Sequence, residues 1–473
     1  MNFMRTVQRA MIAWSVLFGV ASAQSWQPLR HQPPFQTDAT LLLTDGTVMM
    51  HEFATPNWWR LTPDKTGNYL NGRWSRLASM QSDFAPWAFA SAVLPDGRVI
   101  VEGGEFNFAG KDFDLGAIYD PTTDVWTPVN PPTGWTYIGD APSVVLANGT
   151  FMLGAGQFAN TIALFDATTL TWTPGGSPLY GNGETGWVLL PDESVLEVAL
   201  DAPHSERYLP GLDKWVSSGN TPDNLVKYLE LGPDVLRPDG TVFATGASGH
   251  NAIYDPERPD ANRWAAGPDF PNGDDIADGP ATILPNGNVL CETSPGYSTG
   301  PVTFYEFDGK KLTQVPSPPN PGEGSTWGRM LVLPTGQIMF DVTDDFAIDV
   351  ELYTAKGNYK KAWAPTISSA PGAVTRGQTY PISGTQFNGL SQGAMYGDDA
   401  QMATNYPLVR ITNGSTGHVF YARTHDHSSM GVATGTTIVS TNFDVPAGME
   451  TGASEMVVVA NGIPSDPVAV TVQ

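Results

Sequence analysis

From Ala88 onward the chain alternates short apolar runs with polar breaks. Ala88 to Leu94 is apolar and stops at Pro95-Asp96-Gly97; Arg98-Val-Ile-Val-Glu102 returns and ends in Gly103-Gly104. Leu115 to Tyr119 is a third run, Asp120-Pro121 a second break, and a short fourth run carries Trp126. Apolar runs of this length split by Asp-Gly and Asp-Pro predict an antiparallel four-stranded meander, which is one blade of a propeller.

The pattern recurs as Leu43-Thr-Asp-Gly46, Leu94-Pro-Asp-Gly97, Leu146-Ala-Asn-Gly149, Leu190-Pro-Asp-Glu193, Arg237-Pro-Asp-Gly240, Leu284-Pro-Asn-Gly287 and Leu333-Pro-Thr-Gly336. The copies stand roughly fifty residues apart, the spacing of kelch-type repeats. Asp-Gly and Asn-Gly supply the positive φ that a tight hairpin needs, and Glu193 is the one departure. Tyr119-Asp120-Pro121, Phe165-Asp166-Ala167 and Tyr254-Asp255-Pro256 mark third strands, while Trp74, Trp126, Trp172, Trp215, Trp264 and Trp363 mark fourth strands. The sixth repeat has Leu312 to Val315 in place of its Trp. A lone blade buries little, so these Trp side chains read as wedges between blades of a closed ring. Trp26-Gln-Pro-Leu29 resembles a fourth strand without a blade and is expected to close the ring on the last one. After a linker, Ala364 to Gly372, the spacing changes: Thr379 to Gly384, Leu408 to Thr412, His418 to Arg423, Thr437 to Ser440, Glu455 to Val459 and Val468 to Val472 read as an immunoglobulin-like β-sandwich. The predicted fold is all-β, with a seven-bladed kelch-type propeller over 24–363 and the sandwich over 364–473.

Composition places this fold outside the cell. Arg5 and Arg9 precede the apolar run Ala10 to Val20 and an Ala21-Ser22-Ala23 site, a signal peptide over 1–23 too short to span a membrane. Secretion or a periplasmic destination follows. The single cysteine, Cys291, makes no internal disulfide and reads as a buried strand residue. A net charge of −24 over 473 residues makes nucleic acid and anionic membranes poor partners. Nucleophile elbow, HExxH and Ser-His-Asp patterns are missing from positions where they would operate.

Signal peptide, seven blades and a C-terminal sandwich together resemble galactose oxidase and its copper-radical relatives, and Val419-Phe-Tyr-Ala-Arg423-Thr424-His425 resembles the stretch by which that family's sandwich delivers a histidine to the metal. The resemblance implies a copper ion held by two tyrosines and two histidines, one tyrosine cross-linked to cysteine. Counted from the hairpin glycines, the cysteine falls at Ala88, the cross-linked tyrosine at Asp140 and a Tyr-His pair at Thr326-Trp327; only His425 has a match. With one histidine left, the nitrogen-rich surroundings that suit Cu(II) are gone, which argues against copper-radical chemistry.

Nine positions before each hairpin's last residue stand Thr37, Ala88, Asp140, Glu184, Leu231, Asp278 and Trp327. By analogy with the family, this position opens the innermost strand at a funnel mouth on the axis. Converging acids there call for a compensating cation or a proton. Asp140, Glu184, Asp278 and His425 are the candidate catalytic groups. Asp140, Asp278 and His425 are candidate ligands for a divalent ion such as Ca²⁺, Mn²⁺ or Zn²⁺. Trp87, Trp327, Arg329 and His427 are candidates for binding substrate, the rings as stacking platforms. Gln36, Asp38, Glu230, Thr326 and Asp426 stand close by in sequence. Each acid taken alone is equally well a strand-start carboxylate bonded to backbone, and Tyr396-Gly-Asp398-Asp399 reads as a solvated turn sooner than a calcium loop. The expected function is recognition of carbohydrate at an acidic funnel, with processing by carboxylate or metal-assisted chemistry of the hydrolase or lyase kind. A non-catalytic carbohydrate-binding or cell-surface protein and a divergent oxidoreductase are the alternatives.

Overall fold

The computed structural model describes residues 24–156, 159–343, 349–397, 399 and 401–473. The predicted signal peptide lies outside the described residues. Among them the chain is all-β, with only 3-10 turns for helix.

The repeated hairpin signature is built the same way in six of seven places. Its Asp or Asn side chain accepts the backbone N–H two residues on: Asp45 from Thr47 at 3.0 Å, Asp96 from Arg98 at 3.0 Å, Asn148 from Thr150 at 3.0 Å, Asp192 from Ser194 at 3.1 Å, Asp239 from Thr241 at 3.2 Å and Asn286 from Asn288 at 2.9 Å. These Asx turns fix the chain reversal, and the last residue of all seven turns has positive φ, including Glu193 at 68°. Each turn joins an inner strand to a second strand. The inner strands, Thr37–Leu42, Ala90–Val93, Ser143–Val145, Trp187–Leu189, Asp234–Leu236, Ala281–Ile283 and Gly328–Val332, are almost wholly buried and stand side by side in a closed ring.

The outer strands lock neighbouring blades. Trp126 Nε1 donates to Ala78 O at 3.1 Å, Trp172 to Asn130 O at 2.9 Å and Trp74 to His31 O at 2.9 Å, in each case to the chain leaving the preceding blade. The seventh blade takes its fourth strand from the N-terminus: Ser25–Pro28 pairs antiparallel with Val350–Thr354. Trp26 accordingly does there what was expected of Trp363, meeting the rings of Tyr353, Phe304 and Phe340 at 4.7, 5.1 and 5.6 Å. Trp363 instead lies in a 3-10 turn against Gly287 of the sixth hairpin. It falls after the third strand, where the ring is already closed.

The C-terminal strands form one curled sheet, in the order Thr366–Ser369, Thr379–Thr385, Ile438–Asp444, Val419–His425, Leu408–Asn413, Gly452–Ala460, Val468–Val472 and Ala373–Val374, folded around a core that includes Phe387, Val409, Phe443 and Val458. It docks on the hairpin side of the propeller: Val419 N donates to Lys65 O at 2.8 Å, Thr424 N to Thr44 O at 3.1 Å, His427 N to Pro95 O at 3.1 Å and Met430 N to Ala147 O at 2.9 Å. One segment of this domain leaves its sheet. Ala394–Met395 adds a fifth strand to the sixth blade, pairing with the inner strand Ala281–Ile283.

Candidate functional site

The inner strands run from the end opposite the hairpins, and three blades present an acid there. Glu184 and Asp278 stand three residues before the first residue of their inner strands and both have left-handed backbone, φ 53° and 52°. Non-glycine residues rarely hold this conformation, and where they do the surroundings must fix it. Glu230 is set by a tight turn in which Lys227 and Glu230 exchange backbone hydrogen bonds of 3.2 and 2.9 Å around Tyr228 and Leu229, both at positive φ. The turn leaves Tyr228 and Leu229 exposed. Its base is held by the Lys227 ammonium, 3.0 Å from Asp275 and 4.5 Å from the Tyr228 ring.

Glu184, Glu230 and Asp278 come together: one carboxylate oxygen from each lies within 4.8 Å of the others. They belong to three consecutive blades. Among the described residues this is the group of potential ligands within binding reach of one ion, and Asp140 and His425 are not part of it. Asp140 is buried at the corresponding place in the third blade, but there the left-handed residue is Gly139. The left-handed backbone thus comes one residue earlier than at Glu184 and Asp278, although Asp140 keeps their place three residues before the inner strand.

The axial element from the C-terminal domain is not the one expected. Thr424-His425 was to bring its histidine to the acids, yet it lies on the hairpin face, where His425 Nδ1 meets Asp426 Oδ2 at 2.7 Å and Nε2 meets Asp444 Oδ1 at 3.2 Å. The six residue steps from Asp278 to Leu284 of its hairpin make this separation about 20 Å. His427 is on the same face, buried, its Nδ1 2.9 Å from Thr441 Oγ1; loss of hydration holds its pKa down at about 3. Neither tail histidine reaches the acids because the strand Val419–His425 that leads to both pairs inside the sandwich.

The axis is filled by the segment around Ala394–Met395, whose continuation has the sequence pattern of a solvated turn. Gln392 accepts from Leu189 N at 2.7 Å, Tyr396 Oη donates to Thr326 O at 2.6 Å, and Asp399 is 1% exposed. Gly397 sits so close that a Cβ on it would stand 2.9 Å from Asp278 Oδ1 and 3.2 Å from Leu231 O. Likewise, a Cβ on Gly186 would stand 2.5 Å from Gly397 O. Bare backbone at these positions lets the segment reach the acids.

Arg329 is not open to substrate. It is 2% exposed, donates from Nη1 to Thr326 O and Gly328 O at 3.0 and 2.9 Å, lies 3.9 Å over the Tyr396 ring and is 3.8 Å from Asp38. Asp38 in turn meets His51 Nδ1 at 2.9 Å. Trp87 and Trp327 stack on one another, centroids 5.5 Å apart and 3° from parallel, and Phe106 covers the other face of Trp87 at 5.1 Å. Trp87 therefore has both faces taken, and the stack is an aromatic ledge on this side of the ring. Tyr297 was not foreseen from sequence. Loss of hydration raises its phenol well above the ordinary value, and the charges of Asp278, Glu230, Glu105 and Glu184 add to the rise, so it stands within electrostatic reach of all three clustered acids. Nothing in Pro295-Gly-Tyr-Ser298 distinguishes it from a plain turn.

The donor set does not fit a copper-radical centre. Ala88, Asp140 and Thr326-Trp327 replace its side chains, Trp327 is stacked, and the Thr326 hydroxyl is bonded to Ala277 O at 3.2 Å. The cysteine elsewhere, Cys291, is buried, and burial pushes its thiol up. Three carboxylates suit hard cations.

No protein-family model matches the chain, and no curated protein sequence does. Among solved structures, a fungal alcohol oxidase of the AA5 family, in complex with copper, superposes with a TM-score of 0.57 at 14% identity, covering 96% of this chain and 100% of that one. YjhT follows with a TM-score of 0.43 and 16% identity over 61% of this chain and 99% of its own. The extracellular domain of BT4673 from B. thetaiotaomicron gives 0.49 and 9% identity over 96% of this chain and 58% of its own. The first of these spans both parts of the molecule, so the chain has a galactose oxidase-like fold, a seven-bladed propeller with a C-terminal β-sandwich.

Proposed function

We propose that the protein is exported and recognises carbohydrate at the acidic end of the propeller axis, through a divalent cation held by Glu184, Glu230 and Asp278, and processes it there by metal-assisted chemistry. The observation that carries this reading is the convergence of three acids from three blades within 4.8 Å. At that distance each pair of unit charges repels by about 3.5 kcal/mol at an effective dielectric near 20, which a bound cation removes. Oxygen donors alone favour Ca²⁺ or Mn²⁺ over Zn²⁺. Such an ion supplies open positions for sugar hydroxyls, with Tyr297 as apolar surface for the ring faces.

A second reading, carbohydrate binding without chemistry, is favoured by the burial of Arg329 and by the place of His425 and His427 on the far face, which remove three of the proposed acid–base and substrate groups from the acids. Thermal shift across a glycan panel, with and without EDTA, tests both. Under the proposal a glycan stabilises the protein only with Ca²⁺ or Mn²⁺ present, and product formation separates the two readings. Glycan stabilisation that survives EDTA removes the cation from the account.

A further inference from the structure

In the fourth blade Glu197 and Glu206 stand directly opposite on the second and third strands, Val195–Val198 and His204–Leu209, and both are 0% exposed. Opposed residues of an antiparallel pair put their side chains on one face, about 5 Å apart at Cβ, where like charges are destabilising. Their other contacts lead to one segment. Glu206 accepts from Leu179 N at 2.8 Å and Tyr180 N at 3.2 Å, and Glu197 accepts from Trp187 Nε1 at 3.0 Å with the Thr185 hydroxyl beside it. The two carboxyls therefore grip both ends of the stretch that carries Glu184.

Facing groups do not neutralise the pair. From the fifth blade comes another buried acid, Asp234; from the fourth strand, Ser217 opposite Glu206; from the gripped segment, the Tyr180 phenol, whose ring stacks on His204 at 4.8 Å. The His204 Nδ1 is 3.1 Å from Asn220 Oδ1.

We propose that Glu197 and Glu206 form a proton-operated latch: with a proton between them they hold the stretch from Leu179 to Trp187 and seat Glu184, and with both ionised they repel and release it. The proton leaves to solvent and no other group changes. Burial raises Glu206 to about 7, against the pull of the Leu179 and Tyr180 N–H groups, and raises Glu197 well above its ordinary value with the Glu206 charge adding to it. A raised acid keeps its proton in the fold and loses it when unfolded, so the latch is at full strength below about 4.5 and weakens as pH rises through about 7. That the latch governs ligand binding rests on the proposed function; the latch itself does not.

Hydrogen exchange of the full chain between pH 5 and 8, corrected for intrinsic rates, reads it directly. Protection of the amides from Leu179 to Gly186 is expected to fall up to about tenfold per pH unit until about pH 7, while the third-blade strand Ile162–Asp166 keeps its protection. In Glu197→Gln the amide takes the proton's place toward Glu206, and the slope should vanish; Glu206→Gln should remove it as well and serves if the first variant does not fold. A pH-independent wild type, or the same slope in a folded Gln variant, overturns the latch. Ca²⁺ titration of the same samples keeps the two proposals apart. A working latch in a protein that binds no Ca²⁺ removes only the proposed function, and flat protection with intact Ca²⁺ binding removes only the latch.

Discussion

Glu193 occupies the hairpin position that is glycine in the other six blades, and it holds φ 68°. Left-handed backbone costs a side-chain-bearing residue about 1–2 kcal/mol, partly offset because glycine loses more freedom on folding. Glu193→Gly is therefore expected to stabilise the protein by about 0.5–1 kcal/mol in denaturant unfolding; destabilisation would mean the Glu193 side chain makes a compensating contact. This position was legible because the hairpin has a chemical signature, Asp or Asn mostly followed by Gly, which six of the seven turns build with the same Asx bond. Glu184 and Asp278 were legible by counting from it. Glu230 stood only among the neighbours, because its placement depends on the strained Tyr228-Leu229 turn, and neither residue type advertises positive φ. Asp140 satisfied the count but not the geometry, since Gly139 takes the left-handed backbone one residue earlier.

The element that decides the site is the axial segment around Ala394–Met395. Its two-residue strand is too short for periodicity to reveal, and its glycines and acids look like a surface turn. The tail histidines drew the prediction instead because a known motif names them, while their own strand is committed to the sandwich. Tyr396 fixes this segment through one buried hydrogen bond to Thr326 O. Tyr396→Phe leaves that carbonyl without it and is expected to cost about 1–2 kcal/mol in unfolding free energy. Because Gly397 touches Asp278, the same variant should weaken cation binding severalfold while leaving the circular dichroism of the sheets unchanged. Unaltered cation binding would detach the segment from the site.

Across the whole molecule the ring is closed by a strand from the N-terminus, and its interior buries several acids. Glu102 and Glu292 are fully buried with no hydrogen-bond partner for either oxygen among the described residues, and burial raises both well above the ordinary range. Burial and the neighbouring Asp349 raise Glu351 to about 8. These groups hold protons in the fold that the unfolded chain releases near pH 4.5, so stability falls as pH rises from about 4.5 to 8. Half-buried turn acids act oppositely: despite some loss of hydration, bonds from Thr66, Asn71 and Asn68 hold Asp64 at about 2, and its contribution is lost as pH falls from 3.8 to 2. The unfolding temperature should therefore peak near pH 4–5 and decline by several degrees by pH 8. A maximum at pH 7 or above would show that the buried acids are compensated.

The convergence of three blades on one ion is tested most directly by calorimetric titration of EDTA-treated protein with Ca²⁺ and Mn²⁺, wild type beside Asp278→Asn. One ion per chain in the wild type, and at least about tenfold weaker binding in the variant, is the predicted result. No saturable binding of either ion to the folded wild type, or equal affinity in Asp278→Asn, would contradict it.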